Sequence, residues 1–386
     1  MAEQGTYKRS LGLLELVSLG VGGTVGSGIF VVPGIAAKLS GPGSLIAWVI
    51  VALSATCVLL SLSVVTYRFT GSSGFYSLFE SVFGTRMAVL LMGLYCISSV
   101  FGIATIAAGI GQYITVFNIT SVLLIELIVL AAFCGVNIAG IAFSGMTENL
   151  LTALKIIPLV VITILLVPFI RFDNFVQSVP LTATGLLSSI IIVYWPFTGF
   201  EICAIPVAET KDPALIRRSL LLVILIIVSL YLVLNIALIG SVGAEVLGDS
   251  PAPIATAAGR IFTHAGAIVA FIGIIAMLSA MNAYIIATSR ILQTISERFS
   301  IPKIRNLSLR GTPVNALVIG CTVSGFLLFV SNRFEALATI SVITTLVPYV
   351  FFCIAAWILV AERKIRLVAA AGILSTIAIL FIYFIV

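Results

Sequence analysis

Glu201 and Lys155 are ionisable side chains set inside long apolar runs. A charge in hydrocarbon is costly, so such a residue is a functional candidate by default. Glu201 ends the stretch Tyr194-Trp195-Pro196-Phe197-Thr198-Gly199-Phe200-Glu201. There a proline removes a helix hydrogen bond and clashes with the preceding turn, and Gly199 weakens the helix again. A second weak stretch, Gly22 to Phe30, holds four glycines in seven residues, Gly22, Gly23, Gly26 and Gly28. Each costs roughly 0.8–1 kcal/mol relative to alanine in a helix. In lipid, the freed backbone groups must be buried in protein or face a water-filled cavity. A broken helix at membrane depth is therefore a site for a charged solute; a glycine face for close helix packing is the competing reading. Lys155 lies in Thr152-Ala153-Leu154-Lys155-Ile156-Ile157-Pro158, too deep to flank a span that starts near 147. A lysine in such a place is a candidate for proton movement, with snorkelling to the interface as the alternative.

The elements that must position these groups are membrane helices. The chain is 61% hydrophobic and 9% charged over 386 residues, against globular averages of roughly half apolar and a quarter charged. Many separate apolar runs of about 20 residues describe an all-α polytopic membrane protein. The first run is too long and glycine-broken for the apolar core of a cleavable signal peptide. Cys57, Cys96, Cys134, Cys203, Cys321 and Cys353 all fall in apolar runs and read as packing residues. The net charge of +6 sits at helix ends rather than in one patch, so nucleic acid is not an expected partner.

Eleven spans are expected, near 11–37, 44–66, 86–113, 121–139, 147–169, 184–206, 216–240, 263–290, 313–331, 335–359 and 367–386. With the N-terminus in the cytoplasm, only Lys38, Arg171, Arg260 and Arg333 of the 20 basic residues fall outside the cell, and Lys155 lies within a span. The other fifteen are cytoplasmic, a strong positive-inside bias. That bias supports both the count and the orientation; a multi-pass place in the plasma membrane is the expectation. The loops are short, so no soluble domain is expected. Gly71 to Glu80 reads as a small amphipathic helix on the cytoplasmic face. Ser241–Phe262, with Pro251 and Pro253, reads as a cover over an outer vestibule. Breaks in spans one and six, the first of each successive group of five, are the pattern of a five-plus-five inverted repeat. The repeats would be 11–169 and 184–359, with 367–386 an added helix in a single domain 1–386.

In these features the chain resembles the amino acid–polyamine–organocation transporters, and among them the arginine/agmatine exchangers. Gly26-Ser27-Gly28-Ile29-Phe30 with Pro33 resembles their first-helix signature. Phe197-Thr198-Gly199-Phe200-Glu201 and Ala208-Glu209-Thr210-Lys211-Asp212-Pro213 resemble the sixth helix and the loop after it. Ser289-Arg290, Ile301-Pro302, Gly311-Thr312-Pro313 and the run Ser341 to Tyr349 match in order. The resemblance covers essentially the whole chain. It implies a LeuT-like fold with substrate at mid-membrane between helices one, three, six, eight and ten, and alternating access. The family usually has twelve spans and this chain has eleven, which leaves a homodimer open but takes away its usual contact through the last helices.

The resemblance also implies roles. An amino acid carboxylate would meet the amides of Ser27 and Gly28 and the Ser27 hydroxyl, with Thr24 and Gly26 beside them. Its ammonium would meet carbonyls near Trp195, Phe197 and Thr198, and near Gly23. Trp195 aligns with the aromatic gate and Tyr284 with the aromatic that stacks on the substrate side chain. Thr105, Ser341 and Thr345 would line a polar subsite. Glu201 corresponds to a proton-sensing glutamate. Lys155 resembles the helix-five lysine of proton-coupled relatives, whose ammonium stands in for sodium beside helices one and eight; the arginine exchangers lack it. Gly23 and Ile103 stand where those exchangers carry asparagines, which leaves a guanidinium without an acceptor. The expectation is a proton-coupled, sodium-independent secondary transporter of neutral or broad-range amino acids. A cationic amino acid or polyamine antiporter is the alternative, and a membrane amino acid sensor a third reading. Glu126 and Glu15 read as interfacial or paired. No enzyme, cofactor or metal site is expected: the lone His264 falls at a helix start.

Overall fold

A computed structural model describes residues 9–66, 74–176, 181–308 and 310–385. Its helices in chain order are α1 (Leu13–Thr24), α2 (Ser27–Ser40), α3 (Ser44–Val65), α4 (Gly74–Phe83), α5 (Thr85–Ile114), α6 (Val122–Ile138), α7 (Ile141–Leu166) and α8 (Ala183–Tyr194). There follow α9 (Ala214–Val242), α10 (Ala244–Gly248), α11 (Pro253–Ala258), α12 (Ala265–Arg298), α13 (Pro302–Arg305), α14 (Val314–Val330), α15 (Phe334–Leu359) and α16 (Arg363–Ile382). Among the described residues, eight helical runs are long and apolar enough to cross a membrane, and α6 and α14 are shorter apolar helices. The first long run, Leu13–Val65, is divided by the turn Gly41–Gly43 and supplies two spans, which makes eleven. Large apolar side chains such as Leu53, Ile128, Phe326 and Leu374 stand exposed on the periphery. Such a face suits lipid rather than water.

Two of the expected boundaries move. Helix α7 begins near 141 rather than 147, so Glu148 lies about two turns inside it rather than at its start. Helix α12 continues to Arg298 rather than stopping at 290. Helix α4 occupies the expected amphipathic segment from Gly74 on; 71–73 lie outside the described residues. Its Phe75 and Phe79 rings pack on Phe352, each 4.8 Å away between centroids. Its outer side holds Glu80 3.3 Å from Arg298.

The core is built around α1, whose residues Ser18 to Thr24 are all buried. It is packed by α7, α9 and α12 and by the 3-10 turn Phe200–Ala204. Here the glycine-rich composition has a steric cause. A Cβ on Gly20 would sit 2.6 Å from Val223, and one on Gly23 2.7 Å from Ile202. Larger residues would push the surrounding helices off α1, so the helix-propensity cost is offset by close packing. The segment 241–262 folds into α10 and α11. The Leu247 carbonyl would lie 2.7 Å from a Cβ on Gly34, so the segment lies against α2.

Candidate functional site

Helix α1 ends at Thr24, Val25 and Gly26 leave helical geometry, and α2 starts at Ser27. Helix α8 tightens into the 3-10 turn Trp195–Phe197, Thr198 is extended, and Gly199 takes φ +96°. The two breaks meet backbone to backbone. A Cβ on Gly28 would lie 2.6 Å from the Pro196 Cα, and one on Gly199 2.8 Å from the Gly23 carbonyl oxygen. Only residues without side chains allow that approach.

Between the breaks lies a narrow cavity of about 10 Å³, lined by Gly23, Thr24, Gly26, Ser27, Gly28, Ile106, Trp195, Thr198, Ala280 and Tyr284. The first amides of α2 have no carbonyl one turn earlier within their helix, and the partial positive charge of a helix start favours an anion there. Ser27 Oγ accepts from Trp195 Nε1 at 3.3 Å, which leaves its own proton free to be donated. Thr198 Oγ1 and the Tyr284 hydroxyl share a hydrogen bond of 3.2 Å. The Trp195 and Tyr284 rings, 6.1 Å apart between centroids, form one wall. No charged side chain lines the cavity. Backbone polarity of both signs therefore meets a narrow, otherwise neutral space, closed here to about the size of one water; the polarity matches the two charges of a zwitterion, which would need the breaks to part.

The structure gathers Gly23, Thr24, Gly26, Ser27, Gly28, Trp195, Thr198 and Tyr284 here, and places the remaining candidates elsewhere. Ile103 is buried but does not line this cavity; Ile106, one turn along α5, does. The Phe197 ring points away, between Trp48 and Tyr231 at 5.9 and 5.2 Å. Thr105 bonds back to the Phe101 carbonyl of its own helix. Ser341 and Thr345 both bond to Ser98. Thr345 lines a neighbouring cavity of about 10 Å³, which shares Tyr284 with the first. Glu201 lies in that second cavity. Its carboxylate accepts from the Tyr95 hydroxyl at 2.5 Å, the Tyr349 hydroxyl at 2.6 Å and the Gly199 amide at 3.2 Å. The glutamate is thus tied to the second break itself. Its two tyrosines, from α5 and α15, were not anticipated, because nothing local in the sequence marks a tyrosine that reaches another helix.

Lys155 is fully buried. Its Nζ donates to the Gly22 carbonyl at 2.7 Å and to Ser279 Oγ at 2.7 Å, so it joins the end of α1 to α12. The sequence reading passed over Glu148, one face-repeat earlier on the same helix. Also fully buried, it accepts from Ser279 Oγ at 2.5 Å, Asn282 Nδ2 at 2.8 Å and Thr152 Oγ1 at 3.2 Å. The spacing of seven, about two helical turns, was the available signal; a span start set near 147 hid it. Glu126 is also buried, against Gly111 of α5, and Glu15 caps α1 by accepting from the Gly12 amide at 2.8 Å.

Below the second break, Ser10 and Leu11 both donate to the Glu209 carbonyl at 3.0 Å, and Lys211 donates to the Leu11 carbonyl at 2.9 Å. This strap lies beside a buried ion pair, Arg290 Nε to Glu209 Oε1 at 2.7 Å. Burial pushes the Glu209 carboxyl above the usual carboxylate range, while the Arg290 guanidinium opposes that rise. Arg290→Gln leaves a buried carboxylate without its cation, a change that costs about 3–5 kcal/mol. The expected result is a clear fall in Tm of the detergent-purified protein. An unchanged Tm would show that water reaches the carboxylate and that the pair is not holding the strap.

The sequence as a whole is matched by known proteins. The family model for the amino acid permeases matches residues 11–386. The chain is 26% identical over 359 residues to the inner membrane transport protein YbaT of Escherichia coli, covering 90% of this chain and 83% of that protein. It is 27% identical over 356 residues to the aromatic amino acid permease FywP of Lactococcus lactis, covering 85% and 77%. It is 25% identical over 381 residues to the serine/threonine exchanger SteT of Bacillus subtilis, covering 94% and 86%. The chain belongs to the amino acid permease family, as a multi-pass membrane protein and not an enzyme.

Proposed function

We propose that this permease is a secondary active amino acid transporter that works by alternating access, coupled to protons and independent of sodium. The observation that carries the reading is the Lys155 ammonium bonded to the Gly22 carbonyl and Ser279. A fixed cation there draws together the first half-helix, α7 and α12 without an ion from solution. Loss of its proton would weaken that tie and free α1 to move. The amino acid carboxylate would sit on the Ser27 and Gly28 amides and the Ser27 hydroxyl, and the ammonium against the Gly23 carbonyl and those of the second break. Trp195 and Tyr284 would shut the cavity over it, and Glu201 would respond to protons from the far side of Tyr284. On this reading 11–169 and 184–359 are the two inverted repeats, the N-terminus is cytoplasmic, and the membrane is the plasma membrane.

Neutral substrates are favoured because no carboxylate lines the cavity and Ile106 offers no acceptor. The aromatic amino acids, serine and threonine in the names of the relatives have uncharged side chains as well. The presence of Glu201 in the adjoining cavity keeps one other reading open, a cationic amino acid or polyamine antiporter in which Tyr284 moves aside. Uptake into proteoliposomes separates the two. A panel of labelled neutral and cationic amino acids is offered under imposed pH or sodium gradients, with and without internal counter-substrate. Neutral amino acids driven by an inward proton gradient in sodium-free buffer are the expected result. Sodium-dependent uptake would overturn the coupling assignment, and uptake of arginine alone would reverse the substrate assignment.

A further inference from the structure

The coupling scheme leaves unexplained the buried carboxylate of Glu148. Lys155 and Glu148 do not touch; the Ser279 hydroxyl stands between them. Nζ donates to Ser279 Oγ at 2.7 Å, and Ser279 donates on to Glu148 Oε1 at 2.5 Å. The carboxylate is fixed from its other side by Asn282, whose Oδ1 accepts from Asn137 Nδ2 of α6 at 2.9 Å. Thr152 reaches both Glu148 Oε1 and the Ser18 carbonyl at 3.2 Å. Gly22, whose carbonyl takes the ammonium, is also the residue of α1 against which the carboxylate lies, with no room for a Cβ. One serine hydroxyl and one glycine thus bring an acid and a base from one helix face to the broken end of another helix.

We propose that Glu148 is the positioning partner of Lys155: through Ser279 it holds the ammonium against the Gly22 carbonyl and sets the acidity at which the proton leaves. A carboxylate near an ammonium favours the charged form. Glu148 is the charged group that the Ser279 hydroxyl joins to Lys155. The other polar groups around the pair are neutral: the Ser18 and Gly22 carbonyls of α1, Ser279 and Asn282 of α12, and Asn137 of α6. From α9, Tyr231 donates to the Thr24 carbonyl; α11 (Pro-Ile-Ala-Thr-Ala-Ala) has no titratable side chain.

This inference rests on the proton-coupled reading, and the test separates the two. Purified Glu148→Gln, Glu148→Asp, Ser279→Ala and Lys155→Ala proteins are reconstituted, and uptake of the neutral amino acid best transported by the unmodified protein is followed across pH. Glu148→Gln keeps the side-chain shape and loses the charge. Its pH profile is expected to move to lower pH by on the order of one unit, with Glu148→Asp moving it back toward the original. Ser279→Ala, which removes the bridge and with it one acceptor of the ammonium, is expected to shift the profile the same way by less, and carries the test if Glu148→Gln does not fold. A Glu148→Gln profile that superimposes on that of the unmodified protein, whatever its maximal rate, overturns the inference, provided Lys155→Ala has lost its pH dependence. Retained pH dependence in Lys155→Ala overturns the coupling reading and this inference with it.

Discussion

Lys155→Ala is expected to bring uptake driven by a pH gradient down to the background of empty liposomes, while some exchange of internal for external substrate persists. The ammonium is fully buried and supplies hydrogen bonds to α1 and α12. Its removal leaves the Gly22 carbonyl without that donor and Glu148 without its counter-charge. A buried carboxylate left without its counter-charge is costly, so instability alone can account for part of the loss. Exchange distinguishes the causes. It needs the cavity and the moving helices but no net proton transfer, so a folded variant that exchanges and yet cannot be driven by pH has lost coupling specifically. Size-exclusion behaviour and Tm in detergent report whether the fold survives. Full pH-driven uptake by Lys155→Ala would remove the lysine from the coupling scheme.

The second large effect is expected at the meeting of the two breaks. Gly199→Ala and Gly28→Ala each add one methyl group, and in both cases its neighbour is backbone, the Gly23 carbonyl at 2.8 Å or the Pro196 Cα at 2.6 Å. No rotamer change can relieve such a contact. Gly199 also has φ +96°, where an L-residue carries a further steric penalty of roughly 1–2 kcal/mol. The strands of backbone must move apart, and with them the amides and carbonyls that would hold both ends of a zwitterion in the proposed site. Loss of substrate binding by roughly tenfold or more, the effect of about 1.4 kcal/mol, is expected for each variant, measured by substrate-dependent thermal stabilisation and by uptake. Gly93→Ala and Gly135→Ala are the controls, because an added Cβ meets nothing within 4 Å at either position. These should bind normally. Wild-type affinity in Gly28→Ala would mean that the breaks do not define the site.

Much of this molecule is legible in one dimension because lipid allows so few solutions. Backbone groups in hydrocarbon must pair within their own segment, so each crossing appears as a long apolar run and each departure from helix as glycine or proline. The eleven spans, the breaks at Gly22–Gly28 and Pro196–Gly199, and the two misplaced charges, Lys155 and Glu201, follow from that rule. Membership of the amino acid permease family rests on the family model that matches residues 11–386.

Which side chains share a cavity depends on the rotation of each helix about its axis and on what packs behind it, and composition is silent on both. Ile106 rather than Ile103 faces the cavity because one turn of α5 separates them. Phe197 turns toward Trp48 and Tyr231 although its neighbours Trp195 and Thr198 face the site. Tyr95 and Tyr349 reach Glu201 from helices 106 and 148 residues away in the chain. The clearest case is the pair on α7. By itself the sequence determined that a lysine is buried in the fifth span, since a charge within an apolar run is visible at once. Only the tertiary structure decided what that charge does there, because its partners, the Gly22 carbonyl, Ser279 and Glu148, come together through the close approach of three helices that small residues permit.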